Sequence, residues 1–236
     1  MTQSIARLST IGFDADDTLW HNERIFRMTE QSFASLLAGH AEAIHISSRL
    51  LAAERRNLQI YGYGIKGFTL SMIETAIEVT EGAVAARVIE EILAFGRAML
   101  RHPVETLPHV RQTLLELHGG FRLVLITKGD LFDQERKLAQ SGLGELFAAV
   151  EIVSEKTAET YERVFRRHGD GAKRAMMVGN SLKSDIVPAI AAGSRGVHVP
   201  HELTWILEQE QAPEHDARFH RIPHLGELTG LIRQIA

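Results

Sequence analysis

At 236 residues, with 44 % apolar and 24 % charged residues, the chain is long enough for one large domain, or for a domain carrying a sizeable insertion. A formal charge of −4 without a basic stripe argues against nucleic acid as a partner. The absence of cysteine excludes disulfides, redox thiols and zinc–thiolate sites. No segment approaches membrane-spanning length, and Met1–Thr10 lacks the apolar core of a secretory leader, so a cytoplasmic protein without a membrane partner is expected. The 12 histidines are scattered; His40 and His45 fall on different helix faces and read as solvated surface groups.

Taken in chain order, the first predicted element is a short apolar strand that stops at Asp14. From Asn22 to about Met99 the pattern turns helical. Phe26, Glu30, Phe33 and Leu37 recur at helical spacing, and Val84, Val88, Ile92, Phe95 and Met99 form a cleaner stripe. Between them lie an amphipathic segment (Arg49–Ile60), a glycine-rich loop (Tyr61–Gly67) and a helix (Phe68–Thr80); His102-Pro103 then closes the block. Beyond Pro103, helices alternate with buried strands: helix 110–118, strand 121–126, helix 131–140, strand 149–153, helix 158–168, strand 175–178, helix 182–192 and strand 196–199. An edge strand at 219–222 and a closing helix at 225–235 complete the series.

That alternation predicts an α/β fold with a doubly wound parallel sheet. Residues 1–20 and 103–236 would form the core. Residues 21–102, far longer than an ordinary connection of about 4–6 residues, would form an inserted all-helical cap.

The strand ends carry the chemistry. Asp14, Asp16 and Thr18 follow the first strand, and Thr127-Lys128-Gly129 the next. Lys156 follows the third, and Gly179-Asn180-Ser181 with Asp185 the fourth. In open α/β sheets ligands bind outside the carboxyl ends of the strands. Clustered acids there cannot all stay ionised without cations among them, and oxygen-only donors favour Mg²⁺. Carboxylates, a hydroxyl and ammonium groups converging from four segments suit phosphoryl transfer.

With these four motifs in order, the chain resembles the haloacid dehalogenase-like (HAD) hydrolases, and among them the capped phosphatases. The first motif is Asp14-Ala15-Asp16-Asp17-Thr18, the second Thr127, the third Lys156, the fourth Gly179 to Asp185. The resemblance implies a Rossmann-like core and a Mg²⁺-dependent phosphoric monoester hydrolase acting on a small phosphorylated metabolite. Asp14 would be the nucleophile that becomes an aspartyl-phosphate, and Asp16 the general acid and base. Thr127 and Lys156 would hold the phosphoryl oxygens. Mg²⁺ would sit on Asp14, the Asp16 carbonyl and the fourth motif, where Asn180 stands in place of the commoner aspartate and either Asn180 or Asp185 would touch the metal. Lys128, where a neutral residue is frequent, would contact phosphate or point into solvent. The presence of Asp16 favours a phosphate ester over a halide, since a halide leaving group needs no proton.

Gly62-Tyr63-Gly64-Ile65-Lys66-Gly67 matches the dinucleotide pattern G-x-G-x-x-G, but it follows an amphipathic helical segment where a buried strand is required. It reads as a connection inside the cap, from which Lys66 would reach an anionic substrate. Trp20 would shield the site or pack against the cap, and His198 to Trp205 reads as a corner leading to the tail. A phosphomutase or, from another class, a phospho-receiver module would use related groups; receivers place the phosphoacceptor after a later strand and lack a large helical insertion. Monomer and homodimer both fit.

Overall fold

The computed structural model describes residues 7–235. They form two compact units. One comprises the segment ending at His21, Val104–Lys128 and the segment from Glu135 onward; the other comprises Asn22–Pro103 with Gly129–Gln134.

In the first unit, six strands pair in parallel: β1 (Thr10–Phe13), β2 (Arg122–Lys128), β3 (Ala149–Val153), β4 (Ala175–Gly179), β5 (Arg195–His198) and β6 (Phe219–Arg221), in the order β3-β2-β1-β4-β5-β6. Helices α5 (Val110–Leu117), α6 (Leu131–Ser141, whose residues up to Gln134 are counted with the second unit), α7 (Ala158–His168), α8 (Val187–Ala191) and α9 (Leu228–Ile235) connect or follow them. The central strands β1 and β4 and the middle of β2 are apolar and buried because both faces are covered, whereas the edge strands β3 and β6 are partly exposed. Along β2, Leu123 and Leu125 join a cluster with Ile11, Phe13, Met176 and Val178, while Val124 and Ile126 join Tyr161, Phe165 and Met177 on the other face. That alternation is the period of two of a pleated strand.

β1 is central, between β2 and β4. The chain winds outward from β1 through β2 to β3, then returns to the other side of β1 for β4. The carboxyl end of β1 is thus the switch point of the sheet, where this architecture opens a crevice.

The second unit holds α1 (Glu23–Leu36), α2 (Ala43–Tyr61), α3 (Ile65–Val79) and α4 (Ala86–Arg101). Phe33, Leu37, Ile46, Leu50, Phe68, Met72, Val88, Ile92 and Met99 form its core. The loop expected over 61–67 is shorter than that. α2 runs through Tyr61 and α3 starts at Ile65, because Gly62 (φ 72°) and Gly64 (φ 111°) alone adopt the positive φ that breaks the helix. Gly67 is helical. Helix 182–192 is likewise divided into a wide turn over 182–186 and the short α8. Among the described residues no helix is long and apolar enough to cross a membrane.

Candidate active site

The site grows from the end of β1. The Asp14 N–H still donates to the Val178 carbonyl of β4 (2.9 Å), so the residue leaves the sheet with its backbone fixed. Asp17 then turns the chain at φ 60°, a left-handed conformation that aspartate tolerates, and its N–H donates to the Trp20 carbonyl (2.8 Å). Trp20 and Leu19, fully buried in the sheet core, anchor this turn.

Lys156, on the connection after β3, donates to Asp14 Oδ1 (2.5 Å) and to Asp185 Oδ1 (2.7 Å). The other Asp185 oxygen accepts the Ser181 N–H (2.9 Å). Gly179 has no side chain at the end of β4 because the Asp185 carboxylate occupies the space a Cβ would need. All three ionisable groups are buried. Burial, then the Asp185 charge, pushes the Asp14 carboxyl up to about 7 despite the opposing pull of Lys156. Burial alone would lower Lys156, but the carboxylates of Asp14 and Asp185 outweigh it and hold the ammonium above the usual lysine range. Two carboxylates on one ammonium leave the cluster formally one negative charge in excess.

The Thr18 hydroxyl lies 3.1 Å from Asp14 Oδ2 and 3.2 Å from the Asn180 side-chain oxygen, and it accepts the Asn180 N–H (3.1 Å). That Asn180 oxygen also faces the Asp16 carbonyl oxygen and Asp14 Oδ2, each 3.2 Å away. Without a cation the amide would turn its NH₂ toward them. With one, the three oxygens suit a hard divalent ion, since ligands at about 2.0–2.1 Å around Mg²⁺ sit roughly 3 Å apart. The donor set is a carboxylate, a carboxamide and a main-chain carbonyl; among the described residues no cluster of three or more His, Asp or Glu side chains is arranged for a metal. Both Asp185 oxygens are turned to Lys156 and Ser181, so Asp185 braces the lysine.

The Asp16 side chain points elsewhere. Its Oδ1 accepts the Trp20 indole N–H (2.7 Å) and the Lys137 ammonium (2.8 Å), and Lys137 also lies 3.1 Å from Oδ2. Thr127 is buried at the end of β2. Lys128, expected on phosphate or in solvent, does not point into solvent: its ammonium donates to Glu208 (2.7 Å) and Ser184 (2.8 Å). Glu208 also accepts from Ser181 (2.6 Å) and Ser184. Burial would raise the Glu208 carboxyl, but Lys128 and the serines hold it below its ordinary value. Lys66, in the first turn of α3 and not on a loop, pairs with Asp130 (2.9 Å) and is largely exposed.

A family model described as haloacid dehalogenase-like hydrolase matches residues 8–193. The chain belongs to the haloacid dehalogenase-like hydrolases. Its fold matches the crystal structure of a haloacid dehalogenase-like family hydrolase from Xanthomonas campestris, at 42 % identity and a TM-score of 0.87, covering 100 % of this chain and 94 % of that one. Glyceraldehyde 3-phosphate phosphatase of Methanothermobacter thermautotrophicus is 26 % identical over 209 residues, 84 % of this chain and 88 % of the relative. A magnesium-bound HAD-hydrolase of Bacillus subtilis shares the fold, with a TM-score of 0.65 at 18 % identity, covering 96 % of this chain and 99 % of that one.

Within this haloacid dehalogenase-like site, motif reasoning missed Lys137 and Glu208. Glu208 carries no signal in a polar tail. Lys137 does carry one. In α6 the buried positions are Asp133, Gln134 and Lys137, while Leu131 and Phe132 are exposed, so the polar residues themselves hold the helical stripe.

Proposed function

We propose that this hydrolase is a Mg²⁺-dependent phosphatase that cleaves a small phosphate monoester through an aspartyl-phosphate on Asp14, with the inserted helical unit as its substrate-selecting cap. The observation that carries the proposal is the buried Asp14–Lys156–Asp185 cluster at the switch point of the sheet, one negative charge in excess and flanked by the oxygens of Asn180 and Asp16. Mg²⁺ held by Asp14, Asn180 and the Asp16 carbonyl would supply charge that draws in the phosphoryl group and offsets its oxygens.

The Asp14 carboxylate attacks phosphorus as the bond to the leaving oxygen breaks, and Asp16, protonated on entering the step, gives that oxygen its proton and is left as the carboxylate paired with Lys137. Water then attacks the aspartyl-phosphate, Asp16 takes the water proton, and the Asp14–phosphorus bond breaks to restore the carboxylate and release phosphate. Lys156 and Thr127 hold equatorial oxygens, with Asp185 fixing the lysine. Lys128 and Lys66 are held by Glu208 and Asp130 rather than by the Asp14 cluster. The phosphatase relative from Methanothermobacter thermautotrophicus supports a phosphorylated metabolite as substrate.

A panel of phosphorylated metabolites assayed with Mg²⁺ and after EDTA treatment tests this. Turnover is expected with Mg²⁺ and not without it, and Asp14→Asn is expected to lose roughly 10⁴-fold or more in kcat while remaining folded. Full turnover by Asp14→Asn, or in a metal-stripped protein, would overturn it.

A further inference from the structure

Helix α6 is built inside out. Leu131 and Phe132 are 59 % and 70 % exposed, while Lys137 is 7 % exposed. Removing an ammonium from water costs several kcal/mol unless a counter-charge is well placed. The counter-charge is Asp16, gripped through both oxygens at 2.8 and 3.1 Å. The Trp20 indole N–H adds a second donor to Oδ1, and Trp20 is fixed by complete burial. Asp14 and Asp16, two residues apart, thus each carry a lysine of their own from a different element: Lys156 from the connection after β3, Lys137 from α6.

Two donors at 2.7 and 2.8 Å occupy both lone pairs of Asp16 Oδ1. We propose that Lys137 is a positioning residue for Asp16: with Trp20 it saturates Oδ1 and fixes the carboxyl group so that Oδ2 is the atom exchanging a proton with the leaving oxygen and then with water. This rests on Asp16 as the acid and base of the proposed reaction. Lys137 itself neither gives nor takes the proton. It removes the rotational freedom that a carboxyl group on a turn would otherwise have, which is the share of catalysis owed to orientation.

The test compares glycerol 2-phosphate, whose alkoxide leaving group needs a proton, with 4-nitrophenyl phosphate, whose leaving group needs little. Lys137→Met keeps the apolar stem and removes the charge. It is expected to lower kcat about 10–100-fold on glycerol 2-phosphate and under about threefold on 4-nitrophenyl phosphate, with KM unchanged. Lys137→Arg is expected to recover part of the loss. In an Asp16→Asn background, Lys137→Met is expected to add nothing, because its effect runs through the missing acid. Trp20→Phe, which deletes one donor and keeps a packed ring, gives a smaller loss with the same leaving-group dependence and carries the test should Lys137→Met not fold. Equal losses on both esters, or losses that multiply in the double variant, would overturn the proposal. Wild-type protein inert toward both esters with Mg²⁺ would instead strike the phosphatase reading, and this proposal with it.

Discussion

Both units of the molecule bury polar groups, but they satisfy them in opposite ways. In the helical unit, Thr29, Thr69, Ser71, Thr75 and Thr80 each return a hydroxyl to the carbonyl four residues earlier, and Asn57 reaches Ser71. These bonds are local, neutral and complete, which is how a helix tolerates a buried hydroxyl. In the sheet unit, the charged groups near the strand ends find partners across the chain: Lys156 with Asp14, Lys137 with Asp16, Lys128 with Glu208. These bonds are charged, and around Asp14 they fail to balance. Buried polarity as such therefore says little about function. Distance along the chain and an unbalanced charge say much.

The contrast is broken most severely at Lys156. Lys156→Met leaves Asp14 and Asp185 facing each other in a dry site, and in metal-free protein it is expected to cost about 3–5 kcal/mol of stability, read by urea unfolding at pH 7. A loss below about 1 kcal/mol would mean that the cluster is wetter than its burial implies.

A smaller effect of opposite sign is expected at Glu54, a carboxyl in the helical unit. Burial, with help from Glu30 and Glu23, pushes its carboxyl up to about 8. Between pH 4.5 and about 8 the folded protein then holds a proton that the unfolded chain has lost, so stability falls as pH rises through this window. Glu54→Gln removes that dependence. The variant is expected to match wild type near pH 4 and to exceed it by about 1–3 kcal/mol at pH 9, measured by unfolding at both pH values. A constant difference between the two would remove Glu54 from the comparison.

The smallest effect sharpens the contrast. Thr75 is fully buried, yet its hydroxyl only serves the carbonyl of Ser71 (2.8 Å). Thr75→Val is expected to change stability by less than about 1 kcal/mol and to leave kcat/KM unaltered, as a locally satisfied hydroxyl should.

Much of the fold was legible because its signals are local. Apolar runs bounded by turn residues mark the strands, and Ala149–Val153 and Ala158–His168 carry their limits in the sequence itself. The turn over 182–186 does not, because long-range and side-chain bonds shape it: Ser181 caps Ser184, and Asp185 bends back onto Ser181 while holding Lys156. The same division runs through the site. Asp14, Thr127 and Lys156 sit at or just after strand ends, where topology alone brings them to one edge. Lys137 meets Asp16 across 121 residues from inside a helix, and Glu208 meets Lys128 across 80 from a polar tail. The polar stripe of α6 marks Lys137 as inward-facing without naming Asp16 as its partner, and Glu208 has no periodicity at all.

The ammonium that neutralises Asp14 lies 142 residues further along the chain. At the pace of protein synthesis, about 5–20 residues per second, roughly 7–28 s separate the appearance of the acid from that of its lysine. β1 likewise precedes β4 by more than 150 residues and has no neighbour on that side until β4 emerges. A nascent chain therefore carries a central strand and an acidic cluster that nothing yet completes. A chain ended between β1 and Lys156 thus carries the residue proposed as nucleophile without the lysine that holds it.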